Sequence, residues 1–297
     1  MSSLATAAFP QTAVSSRGVR RPERNARRRV SGTPVSRGDG PSLRLPPPRA
    51  LPGVPFPWAP EGTTMDAVLD SLAARVVAAA FFGDGDGDAR VFVGIAGSPG
   101  SGKSTLARLT RDRVNAAAGD DVCVVFPMDG FHYSMNDLLT NKDGLFPDAD
   151  GAVKRRGSPF TFDAEAFTAR VKKAKAEGSS EDVLAPAFCH ETHDPEEDAI
   201  VIKAKHKIVL VEGNYVLLPD EPWCELKDLN VLDESWFVDV PVDEAMRRVE
   251  RRHVAVGRTP AEAKLRADSN DRLNGELVWK HKGRADVFVP SYDMDDV

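Results

Sequence analysis

Val91-Phe92-Val93-Gly94-Ile95-Ala96-Gly97-Ser98-Pro99-Gly100-Ser101-Gly102-Lys103-Ser104-Thr105 is the stretch around which the chain is organised. Gly97 to Ser104 satisfies G-x-x-x-x-G-K-[ST], the phosphate-binding P-loop. A β-branched apolar run leads in, and Ser104-Thr105-Leu106-Ala107-Arg108-Leu109 leads out with helical periodicity. The motif therefore lies between a buried strand and a helix, where its chemistry needs it. Glycines let backbone N–H groups curl around phosphates, and the helix N-terminus adds partial positive charge. Gly97, Ser98, Pro99, Gly100, Ser101, Gly102, Lys103, Ser104 and Thr105 are the expected nucleotide-binding residues. Lys103 is expected to reach the β/γ-phosphates, and the Ser104 hydroxyl to ligate Mg²⁺.

Working outward, Val122-Cys123-Val124-Val125-Phe126, Ile208-Val209-Leu210-Val211-Glu212 and Trp236-Phe237-Val238-Asp239-Val240 read as buried strands. Ala199–Ile202 reads as a short strand and Ala285–Val289 as a last one. An apolar stripe over 66–82 predicts a helix against the sheet edge. Asp163 reads as the N-cap of a helix to about Glu177, and 243–254 predicts an arginine-laden helix. Thr259-Pro260-Ala261-Glu262 is a capping box with Pro at the first helical position. Residues 134–162 read as loop, and 183–194 as mixed extended and polar sequence. Apolar strands alternating with helices predict an α/β fold, the P-loop NTPase three-layer sandwich, with a mostly parallel sheet and helices on both faces. One domain is expected over residues 63–297.

Charge is uneven. Residues 1–60 carry ten arginines, no lysine and two acids, a net +8, whereas the whole chain is −6 and the remainder −14. That acidic remainder argues against a nucleic-acid binder, and no apolar run is long enough for a membrane span. Met1-Ser2-Ser3-Leu4-Ala5-Thr6-Ala7-Ala8-Phe9 followed by Arg-rich, Ser/Pro-rich sequence predicts an organelle transit peptide over 1–62, plastid first and mitochondrion second. Cys123, Cys189 and Cys224 are odd in number and lack metal spacing, which suggests reduced thiols. Asp84-Gly85-Asp86-Gly87-Asp88 lacks the twelfth-position Glu of a calcium loop and reads as a turn. Assembly is left open, with a homodimer as one option.

P-loop proteins include switches, motors and small-molecule kinases. Asn141-Lys142-Asp143 brings its acid one residue too early for a guanine-reading N-K-x-D, and Glu212 is followed by Gly213 rather than the second acid of a motor. A kinase needs a base near the γ-phosphate, an acceptor pocket and mobile cations. Asp129, at the carboxyl end of a predicted strand, can take the proton of an acceptor hydroxyl, or only cap the turn with Gly130. Glu212 can hold Mg²⁺ through water, or be satisfied by backbone. Arg247, Arg248, Arg251, Arg252 and Arg258, ending at a glycine hinge, can form a closing lid over about 243–260, or a solvated basic face.

The order P-loop, D-G-F-x-Y, E-G-N-Y and R-x-x-x-R-R-H-x-x-x-G-R resembles the phosphoribulokinase/uridine kinase superfamily. The middle of the chain is similar to bacterial-type pantothenate kinase. Asp129-Gly130-Phe131 with Tyr133 and Asn136, Arg156-Gly157-Ser158-Pro159 with Asp163, and Pro186-Ala187-Phe188-Cys189-His190-Glu191-Thr192-His193-Asp194 follow its motifs. Glu212-Gly213-Asn214-Tyr215 departs from the E-G-L-N of that group, and Ser269-Asn270-Asp271-x-x-Asn274 looks more like a uridine-kinase-type lid. The resemblance implies an ATP-dependent, Mg²⁺-requiring kinase for a small hydroxylated metabolite, nucleoside-, pantothenate- or sugar-like. In it Asp129 and Lys103 act in catalysis with Arg251 and Arg252, and Arg258 meets the nucleotide. Ser104 and Glu212 hold the metal, and His190, Tyr133 and Arg156 contact the acceptor. Uridine or cytidine kinase and a non-metabolic P-loop switch are the alternatives.

Overall fold

The computed structural model describes residues 63–82, 89–141, 144–178, 180–189 and 191–291. The transit-peptide reading of 1–62, the turn at Asp84–Asp88, Lys142, Asp143 and the acceptor candidate His190 lie outside the described residues. In chain order the strands are β1 (Val91–Ala96), β2 (Cys123–Pro127), β3 (Val183–Cys189), β4 (Asp194–Ile202), β5 (Ile208–Glu212), β6 (Glu234–Val238) and β7 (Val287–Val289). The longer helices are α1 (Met65–Phe82), α2 (Lys103–Ala118), α3 (Met135–Thr140), α4 (Ala149–Lys154) and α5 (Ala164–Glu177), followed by α6 (Glu225–Asp228), α7 (Val242–Ala255), α8 (Pro260–Arg266) and α9 (Arg272–Lys280).

Strand order is β2-β5-β1-β6-β7, and every pair in this sheet is parallel. The two-residue repeat of a strand sends its side chains to both faces. Phe92, Val209, Val211 and Phe237 enter one core with Phe167 and Val171 of α5. Val93, Ile95, Leu210, Trp236 and Val238 enter the other with α1, α2 and α7. Both faces are covered, which is why the strands read as unbroken apolar runs. The expected α/β three-layer architecture is the one observed. β1 lies between β5 and β6: the chain passes from β1 to β2 on one side and later from β5 across to β6 on the other, and this change of direction opens a crevice at the carboxyl ends of the strands.

Three expectations are corrected. α1 packs on a face of the sheet, with Val68, Leu69, Leu72 and Val76 in the core that holds Val93 and Leu210, rather than on its edge. Residues 134–162 are not simply loop. Ser134 and Asp137 close a capping box that starts α3, Asp148 caps α4, and Leu138, Phe146 and Ala152 form a small core beneath them. Helices this short show no legible apolar period, and tertiary burial holds them. Residues 183–202 form an antiparallel hairpin, with an irregularity in register between Ala185 and Ala187. The intervening residue is Pro186, which cannot donate to a regular ladder.

Candidate active site

The P-loop follows β1 directly. Gly100 (φ 81°) and Gly102 (φ 91°) adopt the left-handed conformation that glycine tolerates. Side chains at several loop positions would also collide. A Cβ on Gly100 would stand 2.3 Å from the Ala245 carbonyl oxygen, and one on Gly97 2.5 Å from Ser101 Oγ. The loop is braced from below: Ser98 Oγ donates to the Gly275 carbonyl (3.1 Å) and Ser101 N–H to the Ser98 carbonyl (3.0 Å). Gly102 precedes α2 without a capping side chain, so the first-turn amides of the helix are available to an anion.

Glu212 ends β5 with its neighbours in register, Ile95 of β1 on one side and Pro127 of β2 on the other. Its carboxylate accepts from Ser104 Oγ at 3.1 Å and lies 3.6 Å from Lys103 Nζ. Burial pushes its protonation above the usual carboxylate range; Lys103 opposes this, and the charge of Asp129 adds to it. Ser104, Glu212 and Lys103 thus share one point, and Asp129 is close enough to act on it. A hydroxyl and carboxylates are the hard oxygen donors magnesium takes, the remaining positions falling to phosphate and water, so these residues fit the ion. Gly213 is needed behind the carboxylate, since a Cβ there would stand 2.4 Å from Met128 Cβ.

Asp129 sits in a 3₁₀ turn, Met128–Phe131, that continues β2. His132 Nδ1 donates to the Asp129 carbonyl at 2.9 Å, and its ring lies against Phe162 and Phe188, with centroids at 3.9 and 5.1 Å. Burial lowers the His132 pKa, against the opposing charge of Asp129. The β3–β4 hairpin lies over this turn as a flap, and a Cβ on Gly130 would stand 2.2 Å from the Pro186 carbonyl oxygen. Arg156 reaches across to the flap, pairing with Asp194 at 2.8 Å and donating to the Tyr133 carbonyl at 3.2 Å. Asp194 also accepts from the Met135 amide (2.7 Å). Arg156 is therefore engaged as a clamp on the flap. Tyr133 lines a cavity of about 390 Å³ with His132, Asp163, Arg170 and Pro186.

The base of α7 packs on the P-loop through Ala245 and Val249. Arg251, Arg252 and Arg258 are exposed on its far end and just beyond Gly257 (φ 97°). Arg247 and Arg248 both pair with Glu244, and Arg248 also donates to Ser291 Oγ (3.1 Å). Asp239, at the end of β6, pairs with Lys282 at 2.9 Å. Ser269-Asn270-Asp271-x-x-Asn274 straddles a π-turn, Ala267–Asp271, leading into α9. Asn270 Nδ2 donates to the Arg156 carbonyl (3.0 Å), and Asn274 Nδ2 to that of Gly157 (3.2 Å). The Tyr215 hydroxyl donates to the same Gly157 carbonyl. Asp194, Tyr215 and Asn274 all fall within recognisable motifs, but their partners, Arg156 and the Gly157 carbonyl, lie too far off in sequence for spacing to reveal.

Fold and site together define a P-loop kinase. The chain belongs to the phosphoribulokinase/uridine kinase family, whose sequence profile matches residues 92–293. A Schizosaccharomyces pombe protein with a provisional uridine-kinase name is 36% identical over 213 residues, 70% of this chain and 86% of the relative. The chain is also similar to a Silicibacter sp. TM1040 crystal structure, provisionally named a fructose transport system kinase. That match has TM-score 0.63 and 30% identity, covering 76% of this chain and 99% of the other. YFH7 from Saccharomyces cerevisiae, provisionally described as a P-loop kinase with a circular permutation, matches with TM-score 0.59 and 25% identity, covering 76% of this chain and 97% of that one. Membership implies ATP with Mg²⁺ as the phosphate donor.

Proposed function

We propose that the chain transfers the γ-phosphate of ATP to a hydroxyl of a small metabolite. The observation that carries this reading is the convergence of Ser104, Lys103 and Glu212, with Asp129 on the adjoining strand end. Loop amides and Lys103 hold the triphosphate. Ser104 and Glu212 would hold Mg²⁺, which supplies charge neutralisation on the phosphates. The Asp129 carboxylate accepts the acceptor's proton as the new O–P bond forms and the bond to the ADP oxygen breaks. Arg251, Arg252 and Arg258 close over the phosphates as charge spreads, and Tyr133, with His190 by resemblance, faces the acceptor.

A metabolite screen for acceptor-dependent ADP release tests the reading. At least one hydroxyl compound is expected to stimulate release well above the rate with ATP alone. ATP hydrolysis that no metabolite stimulates would favour a slow switch instead. A second reading, uridine or cytidine kinase, draws on the name of the fission-yeast relative, and stimulation by uridine supports it. The composition of residues 1–62 further supports delivery to a plastid. A fluorescent protein carrying that segment is expected inside plastids, and cytosolic fluorescence counts against it.

A further inference from the structure

The charge balance around residues 154–158 bears on what the acceptor must be. Arg156 is neutralised by Asp194. Arg155 donates instead to Ser158 Oγ (2.8 Å) and Asn274 Oδ1 (3.4 Å), and Arg266 to the carbonyls of Lys154 (2.8 Å) and Arg156 (3.0 Å). All four acceptors are uncharged. Among the described residues neither guanidinium forms an ion pair with a carboxylate. Asp271 attracts Arg266, but it is already engaged by His253 Nε2 at 3.2 Å, while Arg155 and Arg258 repel Arg266.

A half-buried group of like charges bonded only to neutral partners is costly, and an anion between them would relieve it. The guanidinium fork matches carboxylate and phosphate oxygens. Hydrogen bonds tie this group to the proposed reaction centre: Arg155 reaches Asn274, whose neighbour Gly275 accepts from Ser98 Oγ of the P-loop (3.1 Å) and whose Nδ2 shares the Gly157 carbonyl with the Tyr215 hydroxyl. Asn270, 2% exposed, leaves its Oδ1 without a partner beside the same loop, a place for a donor hydroxyl of the ligand.

We infer that the acceptor carries an anionic group, a carboxylate or a phosphate ester, and that Arg155 and Arg266 bind it. The inference rests on the phosphotransferase reading above for the word acceptor, but the anion site itself does not. ADP release by the full chain is measured with matched sets: glycerol, D-glycerate and glycerol 3-phosphate; ribose, ribonate and ribose 5-phosphate; and uridine. Stimulation is expected from anionic members only. Arg155→Gln and Arg266→Gln should each raise the acceptor KM by about 10-fold or more, leaving the KM for ATP within about 2-fold. Equal stimulation by a neutral member overturns the inference. So does a rise confined to the KM for ATP, which assigns the arginines to the triphosphate.

A binding arm separates this from failure of the kinase reading. With the P-loop filled by a non-hydrolysable ATP analogue and Mg²⁺, inorganic phosphate should raise the wild-type Tm. Arg266→Lys, which keeps the charge but loses the fork, should reduce that shift even if the Gln variants do not fold. No phosphate effect on the wild type overturns the anion site. A phosphate effect without any stimulating acceptor leaves the site standing and overturns the phosphotransferase reading alone.

Discussion

Burial of the Glu212 carboxylate against Ser104 and Lys103 sets stability against chemistry at one residue. Burial raises its folded pKa above the ordinary carboxylate value of about 4.5. The folded protein therefore binds this proton more tightly than the unfolded chain, and ligand-free stability falls as pH rises from about 4.5 through the raised value. Glu212→Gln removes that slope. Its ligand-free Tm at neutral pH should equal or exceed the wild-type value, while turnover drops about 10- to 100-fold for loss of a group that holds the cation directly or through water. Calorimetry beside steady-state kinetics checks both. Asp129→Asn should lower turnover by at least about 10²-fold with nucleotide affinity retained, and unchanged turnover would falsify its role as base. Lys103→Ala should lose ATP itself, measured by calorimetric titration; intact affinity there would remove the triphosphate from this loop. That Lys103, Ser104 and Glu212 lie at one end of the sheet was legible because the P-loop motif and a strand-end acid are local signals. Arg156 was not, because its partner Asp194 is 38 residues away and only the folded flap brings them together.

At the scale of elements, the flap explains a glycine that sequence alone left as half of a turn. Gly130 meets the Pro186 carbonyl so closely that a Cβ at 2.2 Å forces backbone apart rather than a flexible side chain. Gly130→Ala should therefore cost about 1–3 kcal/mol of stability in denaturant melts and raise the acceptor KM more than the KM for ATP, since the flap rather than the P-loop is displaced. An unperturbed variant would mean the flap stands off the turn in solution. The helices that carry long apolar stripes or strong caps, over Met65–Phe82, Ala164–Glu177 and Pro260–Arg266, were readable from the chain. The flap was not, because Pro186 and the polar residues of β4 erase the two-residue alternation. The π-turn at Ala267–Asp271 was equally hidden, its extra residue serving to aim Asn270 at the Arg156 carbonyl.

For the whole molecule, a partly buried histidine, His132, and a buried one, His206, weaken stability toward acid. Burial lowers the pKa of His132 beside the reaction centre and of His206 at the opposite end of the sheet, where Lys203 N–H donates to His206 Nδ1 (3.0 Å). The unfolded chain takes up protons near pH 6.5 that the folded protein refuses. Their contribution is thus complete above about pH 6.5 and is lost as pH falls through the lowered folded values. Denaturant midpoints between pH 7.5 and 5 should fall, and His206→Asn, whose Oδ1 can replace Nδ1 as acceptor, should flatten the decline. An identical profile in that variant would assign the acid sensitivity elsewhere. Periodicity and the P-loop determined the strand-and-helix alternation, the parallel sheet and the nucleotide end of the site, since each is written in residues adjacent along the chain. Only the tertiary structure decided which arginines are spent on Asp194 and Glu244 and which, Arg155 and Arg266, donate to uncharged acceptors. Charge pairing depends on distances between segments far apart in sequence, and those distances exist only once the chain has folded.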